Sequence, residues 1–275
     1  MNNEPNPLND YEKEQVRAIQ EWKQQEPSVT SKVVNYVFAP VTWLVSHLIP
    51  QAAMRGALDL SSVAGKWLAE IGTLKADAGV SEFSELLNAE LNKCDNLADS
   101  VHNWAIGIAT TEGGVAGFFG LPGMVVDIPL IVSFALRTIH GVGLAYGFSL
   151  DTEADRQFAL GILSASGANS VQEKIAALTM LRSIEVTLAK QTFTKMGEQA
   201  AKEAYSKEAG ILLIRNLAKQ LGINLTKRKA LQAIPFIGAG IGASVNGWYI
   251  KDVGWAARRA FQERWLVHNK KIIDI

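Results

Sequence analysis

The residues with chemistry to offer are the polar ones that interrupt apolar runs: Asp127, Arg137, His140, Asp155, Arg156, Asn246, Asp252 and Arg259. Arg137 and His140 are three apart and share one helix face, while Asp252 and Arg259 are seven apart and share another. Such groups need partners in apolar surroundings, so a buried polar network joining helices is the first expectation. A proton-handling or ligand site would use the same residue types. A pocket near Asp127, Arg137 and His140 would make the chain a soluble hydrolase or a small-ligand-binding protein.

No catalytic residues stand out beyond these. His47, His102, His140 and His268 are widely separated, and no HExxH pattern occurs. The lone Cys94 has no partner at zinc-ligand spacing, so no metal site is expected, and it reads as a small buried helix residue. There is no GxSxG elbow, and Ser164 and Ser166 beside Gly167 read as helix-end residues. GAGIGA at 238–243 satisfies G-x-G-x-x-A, but KALQAIPFI stands where a Rossmann strand would have to be, and no GK[ST] follows any glycine run. No cofactor is therefore expected, and nucleotide binding is disfavoured.

These residues are carried by segments with helical rather than alternating periodicity. Asn9 or Asp10 can cap a first helix with Tyr11, Val16, Ile19 and Trp22 along one side. Ser28 and Pro50 can open the next two, and Ser81, followed by Glu82 and Glu85, a helix running toward Trp104. In GGVAGFFGLPGMVVDIPLI at 113–131, Gly120 and Gly123 flank Leu-Pro, which suits a tight corner, and Asp127 is placed to cap the helix that Pro129 enters. That helix should end at Gly147. Thr152 can cap the next, stopped by Gly167. Ser170 opens an amphipathic helix with Val171, Ile175, Leu178, Leu181, Ile184 and Leu188 on its apolar side. ILLIRNLAKQL and a helix capped by Thr226 follow, and a glycine-rich entry leads into a long last helix. The expected fold is all-α, a multi-helix bundle with glycine- and proline-rich corners and no significant sheet. Its organisation reads as an N-terminal amphipathic helix over 1–27 and one helical domain over 28–275.

Hydrophobic content of 48% with 20% charge fits a globular or membrane-associated chain. The windows 33–54, 113–136 and 230–250 approach bilayer length, but prolines, Asp127 and many small polar residues argue against simple spans. Residues 207–275 hold twelve Lys/Arg against four Asp/Glu, in a chain of zero net charge. Trp248, Tyr249, Lys251 and Arg258 bring aromatic rings and cations together as at a membrane interface, and are the candidate membrane-facing residues. A membrane surface or membrane-protein partner is expected. Lys227, Arg228, Lys229, Arg258 and Arg259 could contact nucleic acid, but no recognised binding module accompanies them. The first residues lack the basic and apolar regions of a signal peptide, so a cytoplasmic chain is expected, at the inner face of the cell membrane if the interfacial residues act as such.

GLPGMVVDIPL at 120–130, AYGF at 145–148 with DRQFALGILSASG at 155–167, and IPFIGAGIGASVNGWYIKDVGWAARRAFQERWL at 234–266 together resemble the EcsC protein family, over about residues 60–268. The resemblance implies a bacterial, mostly helical protein, associated through the family name with an ABC-transporter operon that affects secretion and processing. It implies no enzymatic activity and supplies no catalytic residues.

Overall fold

A computed structural model describes residues 5–26, 65–110, 128–149, 153–168, 171–172, 174–179, 181–182 and 238–273. Among them the chain is helical, with no strand. Helix α1 is Asp10–Gln24, α2 Gly65–Ala78, α3 Leu91–Thr110, α4 Ile128–Ala145, α5 Glu153–Ser166 and α6 Gly238–His268. The windows 33–54 and 113–127, and the helices expected from Ser28, Pro50 and Thr226 and around ILLIRNLAKQL, fall wholly or largely outside the described residues.

Local chemistry sets the helix ends. Asn9 Oδ1 accepts the Glu12 N–H and Glu12 Oε2 accepts the Asn9 N–H, both at 2.8 Å, a reciprocal cap that starts α1. Pro129 lies in the first turn of α4, where its missing N–H costs nothing. At the other end Gly147 takes φ +84°, letting its N–H bond Leu144 O at 2.9 Å and the Phe148 N–H bond Gly143 O at 2.9 Å. The helix expected from Ser81 is instead broken. Phe83–Asn88 forms a short 3-10 turn, and α3 starts after it. The acids still act as anticipated, since Glu85 accepts the N–H groups of Ser81 and Glu82 at 3.0 and 2.7 Å.

Helix α6 is the spine. It packs on α1, α3, α4 and α5, and its apolar residues fall around most of its circumference for that reason. Ile250, Val253, Ala257, Phe261 and Leu266 are buried in one core with Phe134, Ile139, Tyr146, Phe158 and Ile162. Phe261 stacks near Tyr146 and Phe148 and tilts against Phe158, with centroids 5.3–6.4 Å away. A Cβ at Gly254 would clash with His102 Cδ2, and one at Gly247 with Thr110 Cγ2, so bare backbone lets α6 lie close on α3. These glycines serve helix packing within the chain. No helix among the described residues is long and apolar enough to cross a membrane.

The helical residues after Ser170 keep Leu178 and Leu181 of the expected stripe against the core and depart from it at Ile175. Ile175 is exposed, while Lys174, Ala177 and Leu181 face inward. The Leu181 side chain fills the space beside Gly161, where a Cβ would lie 2.6 Å from its Cδ2, and this contact fixes the helix's rotation.

Two helix ends offer a paired test. Gly147→Ala puts a methyl 2.6 Å from Leu87 N on top of a left-handed backbone, and is expected to destabilise by about 2–3 kcal/mol. Lys270 ends α6 at φ 55° with a side chain already there, so Lys270→Gly should stabilise by about 1 kcal/mol. Urea unfolding of both variants measures the difference.

Candidate functional site

The most buried charged side chain of the described residues is not among the polar residues that the apolar runs single out. Asp95 on α3 is 0% exposed. Its carboxylate accepts the Tyr11 hydroxyl at 2.6 Å, the Tyr146 hydroxyl in a shorter contact, and Gln262 Nε2 at 2.8 and 2.9 Å. Arg258 stands 3.7 Å from it and also pairs with Asp99. Gln262 is held in turn, because Arg259 donates to its Oε1 at 2.7 Å and to Gln15 Oε1 at 3.0 Å. One carboxylate thus ties α1, α3, α6 and the turn after α4. Burial and the Asp95 charge raise the pKa of both tyrosines, so each remains a donor. The sequence did carry a signal. Asp95 continues the stripe Leu91, Cys94, Ala98, Val101, His102 and Ala105, where a charge has no reason to stand without partners.

Cys94 lies beside this hub, its thiol 3.5 Å from Leu86 O, and burial pushes its pKa up to about 12. That makes it inert as a nucleophile. His102 is buried, with Nε2 3.0 Å from Lys251 O, so this nitrogen carries the proton and donates. Burial lowers its pKa. Among the described residues no group of His, Cys, Asp and Glu is placed to hold a metal.

A separate cleft of about 870 Å³ opens where the ends of α1 and α5 meet α6. Its walls include Trp22, Lys174, Tyr249, Asp252, Trp255 and Arg259, with Glu21, Glu26 and Lys251 also lining it. Lys174 is 7% exposed, donates to Trp22 O and lies 4.2 Å over the Trp22 ring. Burial lowers its pKa to about 8, against a smaller opposing pull from Asp252.

The polar residues named from sequence divide between these places. Asp252 and Arg259 do come together, on the cleft. Asp155 is buried and pairs with Arg264 at 3.0 Å, joining α5 to α6. Arg137 is buried on α4, its pKa lowered by that burial, and His140 is half-buried one turn on; neither lines the cleft. Asp127 lies outside the described residues, as do the side chains of Arg156, Asn246 and Trp248. Of the candidate membrane-facing residues, Lys251 is exposed. Tyr249 is 9% exposed and Arg258 points inward to Asp95 and Asp99, so neither presents its polar end to an outer surface. Both turn inward because α6 is covered on several sides, leaving little of it to face outward.

The model of the EcsC protein family matches residues 13–266, beginning within α1 and so reaching further toward the N-terminus than the blocks read from sequence. A relative in Bacillus subtilis (strain 168), named uncharacterized protein YdbA, is 21% identical over 189 residues. That stretch covers 69% of this chain and 64% of the relative, so the similarity spans somewhat under two thirds of the relative's length. No solved structure matches the chain.

Two tests follow from the buried groups. Asp95→Asn removes the charged acceptor shared by Tyr11, Tyr146 and Gln262, while Arg258 keeps Asp99, and should destabilise by about 3 kcal/mol, whereas Tyr146→Phe removes one charge-assisted bond and should cost about 2 kcal/mol, both read from chemical denaturation. For His102 the folded pKa lies below the unfolded 6.5, so the unfolded chain binds the proton more readily. Its contribution is complete above that value and disappears as pH falls through the lower folded one. The urea midpoint of the native chain should therefore fall more between pH 8 and pH 5 than that of His102→Gln.

Proposed function

The chain belongs to the EcsC family, and from that premise we propose that it is a non-enzymatic helical protein acting at the inner face of the cell membrane, where it supports an exporter or envelope process through lipid or protein contact. One observation carries this reading. Four of the buried groups able to do acid–base or nucleophilic work, Asp95, Cys94, His102 and Asp155, have their partners inside the helix bundle, and what lies open beside α6 is a cleft. Exposed Lys251 stands beside that cleft with Trp255 and Arg259, a grouping suited to the level of lipid headgroups. The link to export comes from what the family resemblance implies.

Flotation of the full chain with vesicles containing phosphatidylglycerol tests the membrane part. Binding should be present at low salt and weaken as salt rises, because exposed charges are screened. A basic residue near an anionic surface contributes about 1 kcal/mol, so Lys251→Glu should lower the partition coefficient about tenfold or more. A chain that stays in the soluble fraction with anionic vesicles at low salt overturns the proposal.

A further inference from the structure

Two residues that line the cleft carry groups that lack what their burial demands. The Lys174 ammonium is 7% exposed, yet no carboxylate of the described residues forms an ion pair with it, and its contacts are a carbonyl and a ring. Four other well-buried charges have counter-ions: Asp95 has Arg258, Asp155 has Arg264, Glu263 has Lys23, and Glu12 has Lys271. Tyr249, on the same cleft, has a buried hydroxyl with no hydrogen-bond partner. Burial raises its pKa, leaving it a donor. A buried cation with a carbonyl but no counter-ion, and a buried hydroxyl with no acceptor, are both costly in a closed structure, and an anion would compensate both.

The rest of the cleft extends the description of that anion. Arg259 adds a second cation, oriented by Gln15 and Gln262, and Lys251 a third. Trp22 and Trp255 supply apolar area beside them, and the cleft is large enough for a ligand bigger than a bare ion. Glu21, Glu26 and Asp252 oppose an anion. Glu21 is exposed, where solvent screens it, and Asp252 is half-buried and forms no ion pair with Lys174.

We propose that this cleft binds an amphipathic anion, a phosphate or carboxylate head held at Lys174 with its apolar part against Trp22 and Trp255. The inference deepens the membrane-surface reading by naming a ligand class, but it stands on the cleft alone. A phospholipid headgroup and a free organic phosphate share this chemistry.

Calorimetric titration of the full chain, with dihexanoylphosphatidylglycerol kept below its micelle concentration, tests the site. Glycerol phosphate serves as the free-anion arm and dihexanoylphosphatidylcholine as the zwitterionic control. The phosphatidylglycerol should bind and raise the thermal midpoint, and the zwitterionic control should bind at least tenfold more weakly. Tighter binding than glycerol phosphate identifies the lipid source, and equal binding identifies a free phosphate; both support the site.

Lys174→Met removes an uncompensated charge, so without ligand its thermal midpoint should hold or rise while affinity falls tenfold or more. A residue with a purely structural role would instead lower the midpoint and leave affinity unchanged in the folded fraction. Asp252→Asn should tighten binding severalfold, giving a sign that misfolding does not imitate. Absence of binding in both anion arms, undiminished affinity in Lys174→Met, or weaker binding in Asp252→Asn overturns the proposal. Monomer binding without vesicle flotation leaves the cleft standing and removes only the membrane reading.

Discussion

A carboxylate with no access to water must find its whole coordination within the protein, and Asp95 does so across helices remote in sequence. Its partners Tyr11, Tyr146 and Gln262 lie 84, 51 and 167 residues away. None of these contacts forms unless α1, α3, α6 and the turn after α4 meet in one arrangement. Apolar packing alone is permissive of sliding and rotation, since one methyl-lined groove resembles the next. A charge that loses a partner on any slip penalises nearly every alternative registry. Here the hub stands at the level where Phe261 fills the space beside Gly143, whose added Cβ would lie 2.8 Å from the ring.

Around this point the remaining polar ties form a second rank. Lys23 with Glu263 and Lys271 with Glu12 clamp the two ends of α1 along α6, at 2.7 and 3.1 Å. Asp155 with Arg264 joins α5 to the same spine, and the Arg264 guanidinium also covers the Phe148 and Phe158 rings at 4.4 and 5.0 Å. Each pairs a buried carboxylate with a partly exposed cation, so desolvation offsets much of the Coulomb attraction and the net stabilisation is small. Their effect is orientation, and they leave the chemistry-bearing residues engaged. The cleft is the contrasting region, because there the fold buries Lys174 without a counter-ion.

Much of the local structure was legible from residue order. The Asn9 cap, the entry of α4 at Pro129, its stop at Gly147 and the end of α5 before Gly167 all rest on rules that act within a few residues. The break between Phe83–Asn88 and α3 was missed because Ser81, Glu82 and Glu85 satisfy the rules for starting either a 3-10 turn or a longer helix. On the helix after Ser170 the stripe holds at Leu178 and Leu181 and fails at Ile175. Ile175 looked like the core residue, yet Leu181 packing on Gly161 turns Lys174 inward. Tyr249 and Arg258 were read as facing lipid because their residue types suit an interface, but composition does not tell which side of a helix neighbouring helices cover.

By itself, residue order determined the helical class, several helix ends, the glycine-rich character of α6 and the kinship marked by three ordered blocks, since periodicity and capping depend on neighbours three or four positions away. Tertiary structure alone decided which polar groups are shut from water and with whom. It chose Asp95 as the hub, drew Asp252 and Arg259 to one cleft with Lys174, and kept Asp155 apart with Arg264. The reason is that desolvation and pairing depend on what every other helix covers, and no window of the chain holds that information.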